Sequence, residues 1–297
     1  MPYQGEIAAL ATASCWVVTI MAFESAGRRI GSLAVNLIRL VLALGFLAVF
    51  NGLTRCLPQP TDADGHAWLW LTLSGLVGFT FGDLALFRAF VLIGGRKSTL
   101  LMALVPPFTA LIGWAMMGER LSGVDALGMG LTLVGVVLAV RERGNGDATL
   151  APADAARGIV FGLCGALGQA GGLVLSKYGM RDYSPFAATQ IRIIAGIVGF
   201  SLLFLFIGWW PKVFAALKNR PAMKRVGLGA FFGPFLGVSL SLMAVQYTKT
   251  GVAATLMAIT PVLILAPTAI VYKQKITMRA LLGAVLAVAG VTVLFLT

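Results

Sequence analysis

Leu101-Met102-Ala103-Leu104-Val105-Pro106 returns 155 residues later as Leu256-Met257-Ala258-Ile259-Thr260-Pro261. At the same offset Gly78 and Gly82 meet Gly233 and Gly237, and Gly128 and Gly135 meet Gly283 and Gly290. With small gaps upstream, Cys15 meets Cys164 and Arg39 meets Arg192. Leu-, Gly- and Ala-rich stretches align by chance, but a Met-Ala-x-x-Pro match in register with two glycine pairs makes duplication the better account. The chain reads as two halves, residues 1–144 and 157–297, joined by a Gly/Asp/Ala-rich linker over 145–156.

Composition decides what surrounds these halves. Of the 297 residues 59% are hydrophobic and 11% charged, where a soluble domain carries about 25% charged residues. That excludes a water-soluble enzyme of this size, and the solvent that remains is lipid. Apolar runs long enough to span a bilayer are expected near 6–24, 34–53, 67–93, 98–117 and 123–140, then near 157–176, 185–208, 226–248, 251–272 and 279–297. Each half holds an odd number of spans, so the second copy must insert upside down relative to the first. The expected fold is all-α and integral to the membrane, ten transmembrane helices in two inverted five-helix repeats, a design common among secondary transporters.

A net charge of +12 would suggest nucleic acid in a soluble protein. Here the basic residues sit in short gaps between apolar runs, and fifteen of the twenty loop Lys and Arg fall in odd-numbered loops. This pattern places the odd loops in the cytoplasm and both termini outside, in a multi-pass protein of the plasma (inner) membrane with no nucleic-acid partner. Residues Met1 to Glu6 lack the positive stretch of a secretory signal, so the first run is expected to remain as a span. Trp68, Trp70 and Trp209-Trp210-Pro211 lie at span ends and read as interfacial anchors.

Motifs for chemistry are absent from the sequence. Cys15, Cys56 and Cys164 make no disulfide framework and no metal spacing. The only histidine, His66, stands in a loop with Asp62 and Asp64, and no His-Glu-x-x-His or Gly-x-Ser-x-Gly occurs. Gly95-Arg96-Lys97-Ser98 is not a phosphate-binding loop. No cofactor, metal or nucleotide motor is expected; an integral-membrane enzyme is the distant alternative.

Away from the span ends, four charges lie inside the membrane runs: Asp83, Arg39, Arg88 and Arg192. Such groups must face a protein or water-filled interior and find partners. Asp83 with Arg39 and Arg88 is expected to form a fixed ion-pair cluster clamping the second and third spans, in preference to a transport site. In the second half Val238 and Met243 replace Asp83 and Arg88. Arg192 therefore has no acidic partner by symmetry and is the freer candidate to meet a substrate carboxylate.

On helical spacing, the first span lines up Thr12, Trp16, Thr19 and Phe23, and the sixth Gly165, Gln169, Gly172 and Ser176. Phe79, Asp83 and Phe87 share a face of the third span, and Gln246 lies toward the outer end of the eighth. The candidate substrate cavity comprises Trp16, Phe79, Asp83, Phe87, Met102, Gln169, Arg192, Gln246 and Met257. Pro106, Pro107 and Pro261 are candidate hinges, since proline removes a backbone hydrogen bond. Ordinary packing for Trp16 and a static kink at the prolines are the competing readings. The glycine pairs read as surfaces for close helix approach.

Ser98-Thr99-Leu100-Leu101, Pro106, Gly118-Glu119-Arg120-Leu121-Ser122, Gly128 and Gly135 together resemble the EamA-type repeat of the drug/metabolite transporter superfamily, a resemblance covering nearly the whole chain. Arg39 and Arg192 resemble the arginine that opens the second span of each repeat. The second half departs from the pattern, with Lys273-Gln274-Lys275-Ile276-Thr277 in place of Gly-Glu-Arg-Leu-Ser, so Glu119 is not expected to act as a symmetric gate. The resemblance implies a ten-helix carrier of small molecules with a central cavity between repeats, similar to YddG-like bacterial exporters of aromatic and other hydrophobic amino acids. Export of cationic drugs or other metabolites is the alternative, and a channel a further one. Proton coupling would rest on Asp83 alone, so facilitated or weakly coupled export is expected. One chain holds both repeats, so a monomer suffices.

Overall fold

A computed structural model describes residues 3–140, 152–265, 267 and 277–295. No strand occurs among them. In lipid every backbone polar group must be satisfied inside its own segment, which makes the apolar runs helical. The first half contains α1 (Gln4–Ile30), α2 (Ser32–Arg55), α3 (Gly65–Gly75), α4 (Asp83–Met102), α5 (Val105–Met117) and α6 (Gly123–Val140). The second contains α7 (Pro152–Met180), α8 (Pro185–Phe206), α9 (Trp210–Leu217), α10 (Arg220–Ala230), α11 (Val238–Tyr247), α12 (Thr250–Met257), α13 (Thr260–Leu263) and α14 (Met278–Phe295). Helix α7 begins inside the segment expected as linker; residues 145–151 and the basic stretch Lys273 to Ile276 lie outside the described residues.

Eight helices among the described residues are long and apolar enough to cross a membrane, and two shorter apolar helices, Gly123–Ala139 and Thr250–Leu263, complete the ten. Large apolar side chains such as Leu53, Val91, Leu205 and Phe206 point outward, while Arg39, Asp83, Gln190 and Arg192 are buried. That distribution suits a protein dissolved in hydrocarbon. The short α9, unanticipated from the sequence, buries Val213 and Ala216 and holds the Lys212 ammonium 3.4 Å from the Trp209 ring centre.

Two irregularities recur at the repeat offset. Leu76–Gly82 joins α3 to α4 as a π-helical stretch, and Phe231–Gly237 joins α10 to α11 in the same way. In the second, Pro234 has no N–H to donate and its ring crowds the preceding turn, which favours a wider winding. Phe79 holds the equivalent place in the first, where Gly75, Gly78 and Gly82 lower the steric cost of the bulge.

The second irregularity is a helix junction in each half, at Ala103-Leu104 and Ala258-Ile259. Pro106, Pro107 and Pro261 do not kink a continuous helix. They sit in the first turn of α5 and α13, where a missing N–H leaves no bond unmade. The ring of Pro106 excludes the Met102 carbonyl, and that of Pro261 excludes the Met257 carbonyl. The break therefore falls one turn before each proline, with Ala103 N–H and Leu104 N–H reaching back to Leu100 and Leu101 oxygens at 3.2 and 3.0 Å.

Glycines interlock the halves. A Cβ on Gly135 would lie 2.3 Å from the Ala287 nitrogen and 2.6 Å from the Gly283 oxygen, and one on Gly283 would lie 2.5 Å from the Ala139 nitrogen and 2.6 Å from the Gly135 oxygen. Helices α6 and α14, equivalent in the two repeats, thus cross backbone to backbone through the same pair of small residues. Gly82 and Gly78 likewise rest on Gly168 and Gly172 of α7, while Gly233 rests on Thr19 of α1. The third span of each repeat packs on the first span of the other, and the result is two inverted five-helix repeats.

Candidate functional site

The π-helical stretch Leu76–Gly82 delivers Asp83 into the centre of the bundle, 8% exposed. Its carboxylate pairs with Arg39 of α2 and accepts a 2.9 Å hydrogen bond from Gln169 Nε2 of α7. The same amide donates to the Gly78 oxygen at 3.2 Å. One carboxylate therefore ties two spans of its own repeat to a span of the other. The Arg39 guanidinium carbon also lies 5.5 Å from the ring centre of Phe23 on α1.

Arg192, the symmetry partner of Arg39, is 5% exposed on α8. Its backbone is admitted by Gly75, where a Cβ would stand 2.3 Å from the Arg192 oxygen. Its guanidinium carbon lies 4.9 Å from the Phe79 ring centre. Among the described residues it makes no ion pair and no hydrogen bond, and its Nε is buried without a partner. Two guanidinium groups and one carboxylate leave one positive charge uncompensated where burial makes that costly. Chemically, the arrangement offers a planar donor fork beside an aromatic face to an anionic group.

Of the other residues singled out from the sequence, Trp16 is half-buried near Gly237. Phe87 packs near Phe90, with ring centres 6.2 Å apart. Met102 and Met257 close α4 and α12 at the two helix junctions. Gly165 and Gly172, which share a face of α7 with Gln169, are spent on packing against Leu86 and Gly78.

Two expectations are corrected. Arg88 is exposed and joins no ion pair among the described residues, because five residues along a helix turn a side chain well away from Asp83. Gln246 does not reach the centre; at the far end of α11 its amide donates to the Arg181 oxygen at 2.9 Å and the Tyr183 oxygen at 3.2 Å. His66 is likewise structural, its Nε2 lying 3.1 Å from the Tyr178 oxygen. One feature escaped sequence reading although a signal existed: Asn36, a turn before Arg39, is buried with both amide atoms unpartnered, and an amide inside an apolar run is costly in the same way as Gln169.

A second cluster lies at the face opposite the basic loops, the face that the loop charges assign to the outside. Glu119, between α5 and α6, accepts from Lys177 Nζ at 2.7 Å, from Thr250 N–H at 2.8 Å and from Thr250 Oγ1 at 2.6 Å. Lys177 Nζ also donates to the Thr248 oxygen at 2.7 Å. Asp125, which caps α6 with Ser122, pairs with Lys249 at 2.5 Å. Glu119 and Lys177 stand 58 positions apart and Asp125 and Lys249 124 apart, so no local pattern announces them. Partial burial works to raise the Glu119 pKa, but the hydrogen bonds from Lys177 and Thr250, with the Lys177 charge, outweigh it and hold the carboxyl below its ordinary value. A cavity of about 520 Å³ opens here between Glu119, Arg120, Lys177 and Lys249. Neither Asp83 nor Arg192 lines it.

Comparison with known proteins fits this architecture. The model of the EamA-like transporter family matches residues 3–141 and again 156–296. The chain belongs to the EamA-like transporter family. It is similar to a transporter of Archaeoglobus fulgidus, 25% identical over 271 residues that cover 90% of this chain and 88% of that protein. A transporter encoded beside cobO in Sinorhizobium sp. is 30% identical over 44% of this chain and 92% of that one. A membrane protein of Saccharomyces cerevisiae is 28% identical over 144 residues, 44% of this chain and 34% of the yeast protein's length. A crystal structure superposes with a TM-score of 0.77 over 99% of this chain and 96% of its own at 17% identity, which shows the fold. This EamA-like protein is thus a multi-pass membrane transporter of small molecules and not an enzyme.

Proposed function

We propose that this EamA-like transporter exports small metabolites, aromatic and other hydrophobic amino acids foremost, by alternating access around the Asp83 and Arg192 centre between the repeats. The observation that carries this is Arg192: a buried guanidinium held on the Phe79 ring with its donors unused. A substrate carboxylate fits that fork bidentately, and Phe79 offers an apolar face for the side chain. A purely cationic drug fits less well, because Asp83 is already neutralised by Arg39 and Arg192 adds repulsion. The symmetric helix junctions and π-helical stretches favour rocking of the two repeats, since each is a place where backbone bonding is already loosened. With Asp83 engaged by Arg39, facilitated or weakly coupled export is the reading for energetics.

The test is exchange in proteoliposomes loaded with unlabelled compounds and supplied with radiolabelled amino acids. Stimulation by Phe, Trp, Leu or Met, and none by quaternary ammonium dyes, is the expected result. Stimulation by dyes alone overturns the substrate class. Proton-linked flux that Asp83→Asn abolishes while exchange survives would overturn the energetic reading.

A further inference from the structure

The outer-face cluster around Glu119 is built entirely across the repeat boundary. Its carboxylate comes from the α5–α6 connection of the first repeat, and each donor it accepts from belongs to the second: Lys177 at the end of α7 and Thr250 at the start of α12. The first turn of a helix carries N–H groups with no partner inside the helix and a partial positive charge. Lys249, which precedes α12, gives no side-chain cap, and Glu119 supplies the missing acceptor from the other repeat. Gly113 leaves the room: a Cβ there would stand 2.4 Å from Thr250 Oγ1 and 3.0 Å from Glu119 Oε2.

The repeat offset shows what occupies the equivalent positions at the opposite face. Glu119 corresponds to Gln274, Asp125 to Ala280, Lys249 to Gly94 and Thr250 to Gly95. Lys177, at the offset that aligns Cys15 with Cys164, corresponds to Arg28, which pairs within its own helix to Glu24 at 2.6 Å. The sequence therefore places no carboxylate at either equivalent position.

We infer that Glu119 holds the outer gate of the transport cycle: it locks the repeats together at the outer face, and the carrier must release Lys177 and Thr250 from Glu119 to discharge substrate outward. The inference rests on the alternating-access reading above but not on any substrate. Glu119 is a positioning residue for the conformational step, with no contact to the Asp83 centre.

The test reads the gate without a substrate. In the full chain with Cys15, Cys56 and Cys164 replaced by Ser, spin labels at Met116→Cys and Tyr247→Cys report separation of the repeats at the outer face. A second pair at Arg29→Cys and Lys224→Cys reports the opposite face. Glu119→Gln should raise the ratio of separated to closed populations at the outer face roughly tenfold, the effect of losing about one charge-assisted hydrogen bond, with the opposite pair as the reference. Lys177→Met should do so to a smaller extent because the Thr250 bonds remain. Distance distributions unchanged from wild type at both faces in both variants would overturn the inference. If Glu119→Gln does not fold, Lys177→Met alone decides, by moving or not moving the outer pair. Failure of every amino acid in the exchange assay would leave these distances as informative as before.

Discussion

Arg192 and Phe79 belong to opposite repeats, and the guanidinium carbon of the first stands 4.9 Å from the ring centre of the second. A desolvated cation over an aromatic face gains about 2 kcal/mol, enough to position the side chain and too little to offset the burial of a charge. Arg192 is therefore oriented by Phe79 while its donors stay uncommitted. Its symmetry partner Arg39 differs in having Asp83 as a counter-charge.

Arg192→Lys keeps the charge and loses the planar fork. Its half-saturation concentration for exchange should rise about tenfold or more, while Arg192→Met abolishes exchange and leaves the thermal midpoint in detergent unchanged or higher, since a buried unpaired charge has been removed. A lower midpoint with exchange retained in Arg192→Met would assign the residue to structure.

Asp83→Asn strands the Arg39 charge among buried groups, and removing one partner of such a pair costs about 3–5 kcal/mol. Denaturation should show that loss. Pairing it with Arg39→Leu should recover most of it, and failure to recover would mean the ion pair is not what Asp83 contributes.

Gly135→Ala puts a methyl group into the Ala287 backbone and should cost about 1–3 kcal/mol through overpacking. Gly130, with nothing within 4 Å of its would-be Cβ, should accept Ala without loss. Equal thermal midpoints for the two variants would remove the α6–α14 crossing as a determinant of stability.

Acidity should weaken the outer gate. The Glu119 pKa is depressed in the closed state by Lys177 and Thr250 against the opposing effect of burial, and the cations Arg120 and Lys249 line the same cavity. A depressed carboxyl contributes stability above its ordinary value, near 4.5, and that contribution is lost as pH falls through the lower value of the closed state. The Met116 and Tyr247 labels should separate as outer pH drops below that window in wild type and show no such response in Glu119→Gln.

The membrane class, the spans and the duplication were legible because each rests on local information. An apolar run of sufficient length has no choice but to be helical in lipid, and the match of Met102 and Pro106 to Met257 and Pro261 lies in plain text. Asp83, Arg192 and Gln169 stood out as polar residues in apolar surroundings. Their relations did not: Arg88 has the same composition signal as Arg39 and turns away from Asp83, and Gln246 has the same signal as Gln169 and serves the outer loops.

The sequence by itself determined that this chain crosses a membrane in two duplicated halves with charges inside, because hydrophobicity and helix formation act within one segment. Only the tertiary structure decided that Arg39 is paired and Arg192 is not, that the glycine faces of α6 and α14 meet, and that Glu119 reaches Thr250. Those outcomes depend on how closely and at what rotation helices from different repeats approach, and Coulomb and hydrogen-bond energies change steeply over the few ångströms that such packing sets.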